Sequence, residues 1–140
     1  MTKQDNVVHI AKASLRGHEG LRHHPYLCTA GKRTIAYGRN LDDRGITTEE
    51  AEFLLDNDVA ECLQDCATFP YWNDLTDRRQ AALIDMRFCL GPGGFRAFKK
   101  MHAALSARDY PEAAAQILDS RFAEQTGQRA DNLAGMMRDG

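Results

Sequence analysis

The chain has no apolar run long enough to cross a membrane, and no segment of it reads as a secretory signal. Met1 to Asn6 are polar, and the apolar stretch from Val7 is broken by His9 and Lys12. A chain of this kind that acts outside the cytoplasm needs another way out. Excess charge is lacking too. Eighteen Lys and Arg against twenty Asp and Glu leave a net charge of −2, which excludes a nucleic-acid footprint and gives little general attraction to an anionic polymer. Recognition of an acidic substrate then has to be local. Cysteine is sparse: Cys28, Cys62, Cys66 and Cys89 are too few for a disulfide framework and are expected as reduced thiols. Cys62 and Cys66 share one helical face with no His or second Cys pair at ligand spacing, so buried filler is expected there rather than a metal site. Repeats, low-complexity runs and linkers are absent. The 140 residues, 43% apolar and 27% charged, describe one globular domain with a core of its own.

What is present is mostly helical. Asp5 or Asn6 is placed to cap a first helix, along which Val7, Ile10, Ala11 and Leu15 follow helical spacing. Gly17 and Gly20 bracket Glu19, so the helix is expected to end there, where the dipole disfavours a negative charge and pushes a carboxyl pKa upward. From Leu21 to Ile46, Pro25, Gly31, Gly38 and Gly45 punctuate short β-favouring pieces such as Arg33 to Tyr37, which reads as a small antiparallel sheet or hairpin.

Helix then dominates. Thr47 and Glu50 form a capping box for a long amphipathic stripe, Ala51, Phe53, Leu54, Leu55, Val59, Cys62, Leu63 and Cys66, expected to be core. A central helix is expected from about Thr76 to Leu90, stopped by Gly91-Pro92. Further helices are expected over Phe95 to Leu105, over Pro111 to Leu118 with Asp109 near its start, and over Gly127 to Met137 with Thr126 as cap. The fold class is α+β, predominantly helical. It is a single domain over 1–140 with two lobes: a hairpin-bearing lobe of about 1–58 and a helical lobe of about 59–140, joined by a long helix with a cleft between them.

One stretch carries chemistry. Glu19-Gly20-Leu21-Arg22 is followed by Cys28, nine residues after the Glu, and by Thr34, fifteen after it, within Thr34-Ile35-Ala36-Tyr37-Gly38. With Gly45-Ile46-Thr47, Arg79 to Met86, and Ser120-Arg121-Phe122 with Gln125-Thr126, this resembles the phage T4-type lysozymes, the phage endolysin muramidases, over almost the whole chain. The resemblance implies Glu19, Cys28 and Thr34 as the catalytic set: Glu19 as general acid, Thr34 orienting the attacking water, and inversion at the anomeric carbon. Cys28 stands where Asp is the commoner residue. It is a base if Arg33 or Arg39 lowers its pKa, or otherwise a shaper of the pocket; a thiol with a pKa of about 8.5 is mostly neutral at pH 7. The resemblance also places Gly38, Asn40, Phe88, Met101 and Gln116 along a saccharide cleft, and gives Arg129 the place of an arginine that pairs with the catalytic Glu.

Two departures stand out. Ala36 replaces a Gly of the family pattern, at a cost if the position needs positive φ. Arg39 replaces a His that pairs with an acidic group, a role that a permanent cation also fills. Other residues read as ordinary. His18, His23 and His24 are expected at the surface, Arg78-Arg79 on a solvated face, and Asp42 and Asp43 match no catalytic position.

The resemblance implies a muramidase that cuts the β-1,4 bond between N-acetylmuramic acid and N-acetylglucosamine. Its partners are peptidoglycan glycan strands, with no cofactor, metal or nucleic acid. A monomer in the host cytoplasm, it reaches the periplasmic wall after a holin-type lesion permeabilises the membrane. The alternatives are a peptidoglycan-binding module of the same fold with little or no turnover, and a lytic transglycosylase or chitinase.

Overall fold

A computed structural model describes all residues from Met1 to Gly140. Contacts divide the chain into two units, Met1–Glu52 and Phe53–Gly140.

The first unit opens with α1, Lys3–Glu19. Its cap is Thr2, not Asp5 or Asn6. The Thr2 hydroxyl accepts from the Asp5 amide at 3.0 Å, while the Asp5 carboxylate accepts from the Thr2 amide at 2.8 Å. This is a reciprocal box that places Asp5 one turn inside the helix. Gly20, at φ 70°, ends the helix, so Glu19 is its last residue.

The expected small sheet follows as three antiparallel strands in the order β1 (Arg22–Leu27), β2 (Arg33–Ala36), β3 (Arg39–Asn40). Arg22 pairs with Ala36 and Tyr26 with Thr34, and the register shifts between Arg22 and Tyr26. Pro25, which has no N–H for a ladder, lies in that irregular stretch. Tyr37 and Gly38 alone turn β2 into β3.

The expected box at the start of α2, Thr48–Cys66, is present. Glu50 accepts from the Thr47 amide at 2.9 Å, and the Glu50 amide donates to the Thr47 hydroxyl at 3.1 Å. The same carboxylate accepts from Arg39 at 2.7 Å, which ties β3 to the first turn of α2.

In the second unit α2 departs from expectation. Phe53, Leu54 and Val59 are exposed, and of the stripe only Cys62 and Cys66 are buried. Helical periodicity marks a face but not its partner, and within this unit only the last turns of α2 have neighbours that exclude water.

The core lies among α3 (Asp77–Arg96), α4 (Lys99–Ser106), α5 (Tyr110–Leu118), α6 (Arg121–Thr126) and α7 (Gln128–Asp139). Leu83, Met86, Phe95, Met101, Leu105, Ile117 and Met137 are fully buried in it. Each such side chain contributes about 1.5–3 kcal/mol relative to exposure.

The stop expected at Gly91-Pro92 is a break rather than an end. Gly91 leaves helical geometry at φ 74°, and helix resumes to Arg96. Phe95 therefore belongs to α3, and α4 starts at Lys99. Asp109 caps α5, accepting from Glu112 at 3.1 Å. Thr126 does not cap α7: its hydroxyl donates to the Phe122 carbonyl inside α6, and Gly127 holds the cap position.

One polar pair, buried Tyr71 with half-buried His102, is set in this core. The Tyr71 hydroxyl donates to His102 Nδ1 at 2.6 Å, and Nε2–H donates to the Phe95 carbonyl at 2.8 Å. A carbonyl only accepts, so Nε2 carries a hydrogen; in the neutral ring, which burial favours, Nδ1 is left to accept from Tyr71. Burial holds the His102 pKa below its ordinary value.

Candidate active site

In the first unit, five of the expected residues lie on one short stretch of structure. Glu19 ends α1, and the pairing of Arg22 with Ala36 brings the β2–β3 turn beside it. Its carboxylate rests against Gly38. A β-carbon at that position would lie 2.8 Å from Glu19 Oε2 and 3.0 Å from Cδ. Gly38 therefore has two reasons to be glycine: this close approach, and a φ of 80°.

Thr34 is the only buried polar side chain of the sheet, 4% exposed. Its hydroxyl donates to the Lys32 carbonyl at 2.9 Å, so its lone pairs remain to accept. The hairpin between β1 and β2 brings Cys28 to it. Cys28 N–H donates to Lys32 O at 2.9 Å and Gly31 N–H to Cys28 O at 2.8 Å, leaving the thiol half-buried.

That thiol is held below its ordinary pKa, first by the backbone N–H of Lys32 and then by that of Ala30, against the cost of burial, with the Thr34 hydroxyl also in reach. The cause is not an arginine. Arg33 is bound to Asp42, through Nε at 2.9 Å and Nη2 at 2.7 Å, and Arg39 is bound to Glu50. Arg39 thus fills the cation role expected of it, and with the Thr47 amide it lowers the Glu50 pKa to about 2.

Asn40 is committed to its own loop. Its amide donates to Asp43 at 3.0 Å and its oxygen accepts from the Asp43 amide at 3.0 Å. Asp42 and Asp43 hold the loop that follows β3, with Lys32 also paired to Asp43 at 3.2 Å.

The remaining candidates lie in the second unit. Phe88 is 47% exposed and offers an apolar wall on α3. Gln116 lines a cavity of roughly 410 Å³ together with Phe98, Lys99, Lys100, Met101 and Asp119. Met101 is fully buried, so it reaches that cavity only as its floor. Gln116 donates to Glu112 at 2.7 Å, which leaves its carbonyl oxygen free. The partner that the structure gives Arg129 is Asp85. Nε donates to Oδ1 at 2.7 Å and Nη2 reaches the same oxygen at 2.6 Å, joining α7 to α3.

Sequence reasoning did not anticipate the carboxylate of Glu19 resting on Gly38, or the role of Asp85. The first had a signal in the Gly that ends the motif. The second had none, because a pairing across 44 positions leaves no local pattern.

The chain is similar to known proteins over most of its length. The family model described as Phage lysozyme matches residues 16–138. The pre-baseplate central spike protein Gp5 of Enterobacteria phage T4 is 30% identical over 148 residues, covering 85% of this chain and 26% of the spike protein. An endolysin of Acyrthosiphon pisum secondary endosymbiont phage 1 is 30% identical over 141 residues, covering 94% of this chain and 92% of the endolysin. The chain thus spans about a quarter of the spike protein and nearly the whole of the endolysin.

Proposed function

The chain belongs to the phage lysozyme family, and from that premise we propose that it hydrolyses the β-1,4 bond between N-acetylmuramic acid and N-acetylglucosamine in peptidoglycan, with inversion. The observation that carries the proposal is the grouping on one unit of a carboxyl at a helix end, seated on Gly38, with a thiol and a hydroxyl that share a hairpin.

Each residue has a distinct task. Glu19 in its acid form donates a proton to the leaving glycosidic oxygen. A water on the opposite face of the sugar donates one hydrogen bond to the Thr34 oxygen, whose own hydrogen is held by Lys32. Cys28, favoured as thiolate by backbone N–H groups, takes the water's other proton as the C–O bond forms. One proton leaves Glu19 and one arrives on Cys28, and exchange with solvent restores both. Within the second unit, Phe88 offers a glycan an apolar wall and Gln116 a hydrogen-bond acceptor. The chain needs neither metal nor cofactor for this.

The endolysin match, covering nearly all of both chains, favours host lysis as the setting: synthesis in the cytoplasm, then access to the wall through a membrane lesion.

The test is clearing of permeabilised Gram-negative cells by wild type, Glu19→Gln and Cys28→Ser proteins. Clearing is expected to be lost in Glu19→Gln and strongly reduced in Cys28→Ser. Equal clearing by wild type and Glu19→Gln defeats the assignment of the acid and favours a glycan-binding module. Anhydro-muramyl rather than reducing product ends identify a lytic transglycosylase.

A further inference from the structure

The break in α3 is a place where the chain ought to be loose. Gly91, Pro92, Gly93 and Gly94 follow one another, the residues with the poorest helix propensity. Gly91 is outside helical geometry, and Pro92 has no N–H to rejoin the ladder. Phe95 anchors the segment after the break, fully buried and edge-on to the rings of Phe69 at 5.6 Å and His102 at 5.0 Å. The Phe95 ring, and the Phe95 carbonyl held by His102 Nε2–H at 2.8 Å, anchor the segment at a single residue, which fixes a point. It does not fix the direction of the helix piece about that point.

A second point of attachment is supplied from α2. Asp65 Oδ2 accepts from Arg87 Nε at 2.6 Å, one turn before the break. Its other oxygen accepts from Arg96 Nη2, at the end of the piece after the break. Arg96 Nη1 also reaches back to the Pro92 carbonyl at 3.4 Å, bracing the piece from within. The clamp is sheltered: the Arg87 side chain is 9% exposed and Asp65 13%. Glu61 stands 4.0 Å from Arg87, and the Cys62 sulfur 3.9 Å from it. Poor access to water makes such charge-assisted bonds short and directional.

We propose that Asp65 is a positioning residue, a single carboxylate that bridges both sides of the Gly91 break and fixes the angle between them. Phe88, next to Arg87, lies before the break; Met101 lies beyond it on α4. The clamp thereby sets the spacing between the apolar wall and the cavity that holds Gln116. This consequence for substrate rests on the reading of Phe88 and Gln116 as glycan contacts. The clamp itself does not.

Hydrogen exchange on the full chain tests it, read at the amides of residues 93–98. Arg96→Ala is the sharpest variant, because Arg96 is half-exposed and its loss leaves Arg87 and Asp65 paired. Exchange at 93–98 is expected to rise about tenfold or more while that of α5 and α7 stays as in wild type, and Arg96→Lys is expected to restore part of the protection. With peptidoglycan, KM is expected to rise about three- to tenfold with kcat nearly kept.

The double variant Asp65→Leu, Arg87→Met separates the clamp from mere stability. Exchanging a buried ion pair for apolar groups often leaves Tm intact, yet the clamp is gone and exchange at 93–98 should still rise. Wild-type exchange in either Arg96→Ala or the double variant overturns the proposal, because Phe95 alone would then hold the segment. An unchanged KM in an active Arg96→Ala enzyme overturns the positioning role. An inactive wild-type protein defeats the proposed function instead, and the exchange result still decides the clamp.

Discussion

The carboxylate of Glu19 lies against Gly38, close enough that a β-carbon there would stand 2.8 Å from Oε2. Glu19 is otherwise an exposed side chain at the end of a helix. The glycine therefore sets how near the β2–β3 turn the acid can come.

Gly38→Ala is expected to displace that carboxylate and to lower kcat by about 10- to 100-fold, the scale of a misplaced reacting group. It also places a β-carbon at φ 80°, at a cost of about 1–2 kcal/mol. Clearing assays and urea unfolding of the one variant measure the two effects. A wild-type kcat would show that the contact with Gly38 does not position the acid.

Two residues earlier in the motif, Ala36 holds a φ of 60° where its β-carbon is unwelcome. Relief of that strain, about 1–2 kcal/mol, exceeds the extra freedom that glycine gives the unfolded chain, about 0.4–1 kcal/mol. Ala36→Gly is therefore expected to stabilise the protein by roughly 0.5–1 kcal/mol, seen as a higher urea midpoint with an unchanged slope. A lower midpoint would mean that the turn accepts alanine without strain.

His102 makes stability depend on pH in a definite direction. Its folded pKa is depressed, so below about 6.5 the unfolded chain binds a proton that the folded chain resists. Stability is complete above that value and is lost as pH falls. Between pH 7 and pH 5 the wild-type Tm should drop further than that of His102→Gln, which cannot titrate. Parallel curves would exclude His102 as the cause.

Three of the four thiols should separate by reactivity. Cys28 is held below its ordinary pKa by backbone N–H groups, while burial pushes Cys66 up to about 12 and also raises Cys62. Alkylation of the native protein, followed by mass spectrometry, is expected to modify Cys28 with a midpoint below the ordinary thiol value of about 8.5, and to spare Cys62 and Cys66. A midpoint at or above that value removes the thiolate from the proposed mechanism.

Local chemistry was legible in the chain; distant pairings were not. Thr47 with Glu50, Asp109 before its helix, and Gly91-Pro92 each act within a few residues of themselves; the first two mark helix starts, and the third marks a break inside α3. The spacing of Glu19, Cys28 and Thr34 likewise falls on a helix end and one hairpin, with the doubt over Ala36 resolved by its positive φ. The sequence does not single out Thr2, because Asp5 and Asn6 are equally good caps one turn on, and only the reciprocal bond selects among them. Phe53, Leu54 and Val59 repeat with helical period yet face solvent, because periodicity carries no information about what packs on a face. The partners of Arg129, Arg87 and Arg96 are set by tertiary approach, which no short window of sequence records.

Thr34 presents only lone pairs to an incoming nucleophile, since the Lys32 carbonyl holds its hydrogen. Under the proposed mechanism a nucleophile must then offer two hydrogens, one to that oxygen and one to Cys28. Water has both; a simple alcohol has one. Methanol added to the reaction should accordingly make a poor acceptor, and methyl glycosides should stay scarce among the products even where the alcohol is abundant.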